Sequence, residues 1–418
     1  MKVAVLIVFA LTYALIVSRR LHWLPLGRSA GALLGAVAMV AIGALSPRES
    51  YAAVDHDTIV LLLGMMLVAA YLERGGFFGR AAGLLTRVCR TPGRLLLGVG
   101  VGAAALSALL VNDTVCLFLT PIVVAACLRH GLPLAPYLLA VATSANIGSA
   151  ATLVGNPQNM LIGSLSQVPF ATFLLVAAPA VLLGLALNLA LLWLMFGRHL
   201  PTGELAAVEE GAPADTPPND GPGAALSAAV LLGISAGFLC GLHLGYTALA
   251  GALAFMVASR REPQEAFARV DWQLLVFFAG LFVVVAALQR TGLVAEAYAA
   301  LAPRLDLTRP GGVLTFTAAM TLGANTVSNV PLVLLLGERV ASLGGSPVVA
   351  WVLLGFVTTV AGNLTLIGSV ANIIVVEGAR EHYDLGFWEY LRFGGVSTVL
   401  VLAAGVPLLM AWGAWLGA

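Results

Sequence analysis

The chain has 418 residues, 60% of them hydrophobic and 10% charged, with 21 Lys and Arg against 20 Asp and Glu. A soluble domain carries about 25% charged residues, so a chain this apolar would expose large sticky patches in water; its solvent is lipid, and it reads as an all-α polytopic membrane protein. A formal net charge of +1 without a basic tract argues against a nucleic-acid partner, and four singly placed cysteines without CxxC spacing support neither a zinc site nor a disulfide framework.

The opening segment, MKVAVLIVFALTYALIVSRR, has the lysine and apolar core of a secretory signal. Arg19 and Arg20 stand where a small-x-small cleavage site belongs, so it reads as a retained first helix. Apolar runs of spanning length then follow at 3–18, 29–45, 58–73, 95–128, 134–166 and 170–196, and resume at 224–241, 245–258, 273–289, 310–337, 348–376 and 390–416. About 20 apolar residues cross a bilayer. The runs 95–128 and 134–166 are too long for one straight span, and polar clusters interrupt them. Residues 197–223 are rich in Pro, Gly and acidic residues and read as a flexible aqueous linker. The organisation is therefore an N-terminal unit (1–196), a cytoplasmic linker (197–223) and a C-terminal unit (224–418).

The two units match each other. DHDTIVLLLGMMLVAAYLERGGF (55–77) resembles DWQLLVFFAGLFVVVAALQRTGL (271–293), pairing Asp55 with Asp271 and Gly64 with Gly280 at an offset of 280 − 64 = 216. TLVGNPQNMLI (152–162) resembles TLIGSVANIIV (365–375), pairing Gly155 with Gly368 and Asn159 with Asn372 at 372 − 159 = 213. Between them Asn112 falls opposite Asn329, at 329 − 112 = 217. Ordered matches at nearly constant offset indicate an internal duplication.

Arginine placement orients the copies. Arg19, Arg20 and Arg28 follow the first span, and Arg74, Arg80, Arg87, Arg90 and Arg94 follow the third with no acidic residue among 74–94. The positive-inside rule then puts the N-terminus outside and 74–94 in the cytoplasm, where 77–94 reads as an interfacial amphipathic helix. In the second unit the basic cluster has moved to Arg260, Arg261 and Arg269, between its second and third spans. An upside-down copy would do this. With 95–128 as a re-entrant hairpin the first unit crosses five times, its copy is inverted, and the C-terminus lies outside. Two inverted repeats of five transmembrane helices, each with a re-entrant hairpin and a discontinuous helix, are a plan of secondary transporters in a cell inner membrane.

Non-helical backbone at membrane depth is tolerated only where protein or a water-filled cavity surrounds it. SANIGSAATLVGNPQ (144–158) holds glycines, a proline and small residues that keep a continuous helix poorly. The expected course is a helix to about Asn146, an unwound stretch, and a new helix from about Pro157 with Asn156 as N-cap. Unwinding frees carbonyls, and the new half-helix offers a positive dipole end. TTVAGNLTLIGSVAN (358–372) is expected to mirror this. The hairpin LSALLVNDTVCLFLTP (106–121) centres on Asn112, Asp113 and Thr114; LGANTVSNVPLVLLL (322–336) centres on Asn325, Ser328 and Asn329.

The expected solute- and ion-binding groups are Asn112, Asp113, Thr114, Asn146, Thr152, Gly155, Asn156, Asn159, Ser328, Asn329, Asn363, Thr365, Gly368 and Asn372. A lone Asn or Thr in a membrane helix is more often interhelical glue, worth ~1 kcal/mol or less, and Asn325, Thr143 and Ser107 carry that reading at least equally. Asp113 is the single carboxylate expected deep within a span, and an intramembrane acid marks an ion or proton path. No basic residue is expected at its depth. Cys116, one turn on, reads as a small hydrophobe rather than a metal ligand. No cofactor and no resident metal are expected, although sodium could sit near Asn112 and Asp113. All six histidines fall at span ends or loops.

At these residues, above all SANIGSAATLVGNPQNMLIGSLS, the chain resembles the ion transporter superfamily of arsenite permeases, sodium/proton antiporters and sodium-coupled dicarboxylate or sulfate carriers. That stretch is similar to the branch of plant silicic-acid efflux transporters and bacterial anion permeases of unassigned substrate, with the arsenite-permease branch as a neighbour. The resemblance covers nearly the whole chain. It implies a scaffold and a transport domain, a homodimer, and elevator-type alternating access. In the sodium-coupled carriers, Ser-Asn-Thr motifs at both hairpin tips bind sodium and substrate. Here the tips read Val111-Asn112-Asp113-Thr114 and Ser328-Asn329-Val330, so an ionisable Asp113 fits proton exchange better.

The leading expectation is a proton-driven exporter of a small, weakly acidic oxo-hydroxide such as arsenite or silicic acid. The alternatives are a sodium-coupled importer of inorganic or dicarboxylate anions and a sodium/proton antiporter. An intramembrane enzyme is disfavoured, because HExxH, GxSxG and buried paired carboxylates are absent from the sequence.

Overall fold

Caps and helix breakers set where the apolar runs begin and end as helices. The structure, a computed structural model, describes residues 1–17, 27–205, 223–260 and 262–417. Arg19, Arg20, Arg261 and linker residues 206–222 lie outside the described residues. The first unit contains α1 (Lys2–Val17), α2 (Arg28–Ala41), α3 (Pro47–Ala52), α4 (His56–Arg74), α5 (Phe77–Val88), α6 (Pro92–Leu109), α7 (Asn112–Arg129), α8 (Leu134–Ser149), α9 (Pro157–Ser166) and α10 (Phe170–Phe196). The second contains α11 (Ala224–Leu239), α12 (Leu244–Ser259), α13 (Gln264–Ala268), α14 (Trp272–Arg290), α15 (Leu293–Leu301), α16 (Pro310–Val327), α17 (Asn329–Leu336), α18 (Pro347–Ala361), α19 (Val370–Ala379) and α20 (Phe387–Leu416). Short 3₁₀ turns aside, the element order of one unit is the element order of the other. Among the described residues no strand occurs.

Both long apolar runs of each unit split as their polar clusters demand. Asp55 and Asp271, matched in the sequence, do the same local job: each carboxylate caps the following helix, accepting from Thr58 N–H at 2.7 Å and Leu274 N–H at 3.0 Å. Pro92, Pro157, Pro310 and Pro347 all stand in a first turn, where a missing N–H costs nothing.

The helices sort into two packed groups. In one, α4 lies along α12, α14 along α2, and α1 and α11 flank them. In the other, α10 lies along α20, with α6 on α8 and α16 on α18. Each packing pair in one unit has its counterpart in the other. The α4–α12 contact shows why: a Cβ on Gly64 would stand 2.8 Å from the Cβ of Ala248 and 2.9 Å from the nitrogen of Leu249. A Cβ on Gly280 would stand 2.8 Å from the carbonyl carbon of Ala32 and 3.0 Å from the nitrogen of Leu33. The partners obey the same offset, 280 − 64 = 248 − 32 = 216. Backbone approach of this kind is what holds helices together in lipid, where burying apolar side chains from water supplies no drive.

Ion pairs mark two faces of the bundle. At one, Arg74 meets Glu265 at 2.7 Å and Arg269 meets Glu73, joining the end of α4 to the α12–α14 connection. At the end of α14 away from Asp271, Arg290 donates to Glu49 at 2.5 Å, and Lys2 lies 3.4 Å from Glu296. Glu49 also completes a capping box, its Oε2 accepting from Ser46 N–H at 2.7 Å. The Arg290 hydrogen bond, followed by those from Ser46, holds the Glu49 carboxyl well below the usual carboxylate range, at about 2. A carboxyl lowered in the folded state contributes stability above its unfolded pKa and loses it as pH falls through the folded value. Thermal midpoints of the wild type are therefore expected to fall with acidification from about pH 5 towards pH 2, and Arg290→Gln to flatten part of that slope. An identical slope in both proteins would show that the pair contributes nothing, as exposed pairs often do.

Candidate functional site

α6 and α7 meet at a tight tip, Leu110 and Val111, and each is 18 residues long. At 1.5 Å per residue each arm is about 27 Å, enough by itself to cross hydrocarbon. Tip contacts, rather than arm length, show what the hairpin end packs against. Asn112 N–H donates to the Gly155 carbonyl at 2.8 Å, and Thr152 Oγ1 donates to the Ala108 carbonyl at 2.7 Å. The tip thus docks on the break between α8 and α9. The second tip, between α16 and α17, turns at Ser328, whose φ of 73° lies in the left-handed region at a cost of about 1–3 kcal/mol.

Both breaks form, three residues later than expected in the first. Asn146 lies within α8, which continues to Ser149; α9 starts at Pro157, with the Asn156 side chain accepting from Asn159 N–H at 2.9 Å. The later end follows from Ser149 and the Asn159 amide, which satisfy the last turn locally. Asn159 Nδ2 donates to the carbonyls of Ser149 (3.3 Å) and Thr152 (2.9 Å). In the second unit Asn372 Nδ2 donates to the carbonyls of Gly362 (2.8 Å) and Thr365 (3.2 Å). All three positions are shifted by 213. Each asparagine thus ties its half-helix to carbonyls that the break frees, groups costly to leave bare in the protein interior. Alanine at Asn159 would strand the Thr152 carbonyl and alanine at Asn372 the Gly362 carbonyl, since Ser149 keeps the Asn156 amide and Thr365 the Gly368 N–H, at about 1–3 kcal/mol per stranded group. Each variant is expected to melt several degrees lower in detergent, and the two to be similar; indifference at either position would deny it the role.

Asn146 joins the two breaks. Its Nδ2 donates to the Oδ1 of Asn363 (2.8 Å) and of Asn372 (2.9 Å). Its Oδ1 accepts from Asn112 Nδ2 (2.9 Å) and Ser369 Oγ (3.1 Å). Every hydrogen-bonding position of this buried amide is filled, which is the condition for a buried polar network to be stabilising. Asn363 in turn donates to the Thr143 carbonyl at 3.0 Å, and Thr365 Oγ1 to Asn325 Oδ1 at 2.9 Å.

In front of this network lies a cavity of about 530 Å³. Of the expected site residues, Asn112, Asp113, Ser328, Asn329 and Gly368 line it. Asn146, Thr152, Gly155, Asn156, Asn159, Asn363, Thr365 and Asn372 stand behind it as the supporting network, and Thr114 lies half-buried in the first turn of α7, off the lining. The first turns of four helices reach the cavity: Asn112 of α7, Gln158 of α9, Asn329 of α17 and Val370 of α19. Asn329 Oδ1 is buried and lacks a protein partner.

Sequence reasoning missed Arg28, Gln158 and Asp271, which also line the cavity. The expectation that no basic residue reaches the depth of Asp113 gives way to an arginine sharing its chamber. Arg28 and Asp271 are near span ends in the sequence, and only the tertiary fold brings α2 and α14 over the hairpin tip. The single signal was the matching of Asp271 with Asp55, which marked a helix cap. A second recess of about 810 Å³ is lined by Asp55, Leu165, Gln289, Leu334 and Gly337. α9 and α17 thus start at the first chamber and end at the second.

Residues 13–361 match the family described as CitMHS, citrate transporter. The chain is 35% identical to the silicon efflux transporter LSI3 of Oryza sativa subsp. japonica over 96% of each chain. It is 31% identical to the putative transporter arsB of Dictyostelium discoideum over 93% of this chain and 88% of that one. In fold it resembles the YdaH transporter of Alcanivorax borkumensis, with a TM-score of 0.59 at 15% identity over 91% of this chain and 88% of that one. It also resembles MtrF of Neisseria gonorrhoeae, with a TM-score of 0.58 at 14% identity over 98% and 94%. At these identities the two structures speak to fold alone.

Proposed function

The chain belongs to the CitMHS citrate transporter family of membrane transporters, and from that premise we propose that it is a proton-coupled exporter of a small, weakly acidic oxo-hydroxide of the arsenite or silicic acid class. It is a secondary transporter and not an enzyme. The observation that carries the finer reading is Asp113, an ionisable acid at a hairpin tip whose neighbours from the tips and broken helices are uncharged: Asn112, Gln158, Ser328, Asn329 and Ser369. Amides and hydroxyls of this kind suit the hydroxyls of a neutral solute, and the silicon efflux relative supports the same class. Asp113 exchanges a proton in each cycle.

Asn112, Ser328 and Asn329 contact the solute, while Asn146, Asn159, Asn363 and Asn372 keep the broken helices in register. Alternating access is supported by the two recesses, with α9 and α17 as the barrier between them. The units 1–196 and 224–418 are inverted repeats in a cell inner membrane, with both termini outside and the 197–223 linker in the cytoplasm. The matched packing at constant offset supports the duplication, and the arginine clusters support the orientation. The homodimer rests on the family resemblance.

The test is uptake into inverted vesicles or proteoliposomes under an imposed pH gradient, with arsenite and silicic acid as solutes. Gradient-dependent accumulation of either supports the proposal; none of either, in protein shown to be folded, refutes it. A second reading, sodium-coupled import of an inorganic or carboxylate anion, is favoured by Arg28 in the cavity and by four helix N-termini facing it. Sodium-dependent, anion-driven current would select it. Dissipation of a pH gradient by sodium alone would instead indicate a sodium/proton antiporter.

A further inference from the structure

Three charged side chains line the same chamber, and they come from different parts of the fold. Asp113 stands in the first turn of α7, Arg28 opens α2, and Asp271 caps α14. α2 and α14 pack along each other, whereas α7 packs mainly on α19, α8, α6 and α5 and touches α4 only lightly. Arg28 and Asp271 therefore belong to one helix group and Asp113 to an arm that packs with the other. The Asp113 carboxyl is within electrostatic reach of both, attracted by the guanidinium and repelled by the second carboxylate.

Among the described residues Arg28 and Asp271 are the charged groups acting on Asp113; Asp113 in turn acts on the Cys116 thiol of its own helix, and Cys116 on the Tyr390 hydroxyl. The remaining polar neighbours are uncharged amides and hydroxyls. The Asn112 side chain accepts from Asp113 N–H at 2.9 Å and donates to Asn146 Oδ1 at 2.9 Å; neither bond involves the Asp113 carboxylate.

We propose that Arg28 and Asp271 are the opposed charges that tune proton exchange at Asp113, Arg28 favouring release of the proton and Asp271 favouring its retention. This deepens the proton-coupled reading and rests on it. With both acids ionised the chamber carries one net negative charge, and one proton makes it neutral. Arg28 draws the proton off by attracting the Asp113 carboxylate. Asp271 limits how far, so that the proton is given up and regained within one cycle. Arg28 and Asp271 are positioning charges; Asp113 alone binds the transported proton.

The two charges act with opposite signs, and no purely structural role would reproduce that. Wild type, Arg28→Gln, Arg28→Lys and Asp271→Asn are reconstituted, and initial rates of arsenite and silicic acid uptake are measured across pH. Asparagine keeps the cap acceptor on α14, so Asp271→Asn removes charge rather than fold. The midpoint of the Arg28→Gln profile is expected at higher pH than wild type and that of Asp271→Asn at lower pH, each displaced on the order of one unit, a tenfold change in proton activity. Arg28→Lys is expected to stay with wild type. Midpoints that do not move, or that move the same way, overturn the inference. If Arg28→Gln does not fold, the direction of the Asp271→Asn shift decides alone. A wild type that ignores pH removes the proton-coupled reading and the inference with it; a pH-dependent wild type with unshifted variants removes the inference only.

Discussion

Asp113→Asn is expected to reduce pH-driven solute uptake to background while leaving expression, monodispersity and thermal midpoint at wild-type values or slightly above. Asparagine has nearly the shape of aspartate and retains an acceptor oxygen, so the half-buried position at the hairpin tip is kept. The contacts that seat the tip belong to the backbone of residue 112 and to the Asn112 side chain, and do not involve the Asp113 carboxyl. What is lost is the ability to gain and lose a proton. An intramembrane acid is retained in spite of its cost only where its charge is used, and removing an unneeded one relieves that cost. The measurement is initial uptake into vesicles with and without a pH gradient, alongside a melting curve in detergent. Undiminished gradient-driven transport in the variant would end the assignment of Asp113 as the coupling group.

Much of the fold could be read from local chemistry. Asn156 followed by Pro157 announces a helix start, because cap and first turn are decided by residues adjacent in the chain, and α9 begins there. The run 170–196 has no internal polar cluster and forms a single helix over those residues, kept continuous despite Pro179. The matched pairs Asp55 with Asp271 and Gly64 with Gly280 became, in space, two caps and two backbone contacts. The division of labour among the asparagines was not readable. Asn146, Asn159 and Asn372 look in sequence like solute ligands at a break, yet their donors are spent on carbonyls and on one another. Which carbonyls a break frees, and which amide reaches them, depends on how two units meet across more than 200 residues. Arg28 is the same case: a residue from a span end enters the chamber because α2 lies along α14.

Gly155→Ala is expected to be among the most damaging small substitutions in the chain, and it tests whether the break is a built structure. A Cβ on residue 155 would lie 2.3 Å from the carbonyl oxygen of Ser149 and 2.7 Å from its Cα, both backbone atoms that no rotamer change can move. Relief requires residues 150–156 to shift. That shift would pull the Gly155 carbonyl from Asn112 N–H and the Ser149 carbonyl from the Asn156 and Asn159 amides. Overpacking costs about 1–3 kcal/mol, and a stranded buried partner about 1–3 kcal/mol more. A drop in thermal midpoint well beyond that of Asn159→Ala, together with loss of transport, is the expected result. Gly233→Ala, in α11 with nothing within 4 Å of its added Cβ, is the control, expected to hold or gain up to about 1 kcal/mol from helix propensity. Equal midpoints for the two variants would mean that the 150–156 backbone gives way freely, and a hairpin tip docked on so yielding a segment would not hold Asp113 in place for proton exchange.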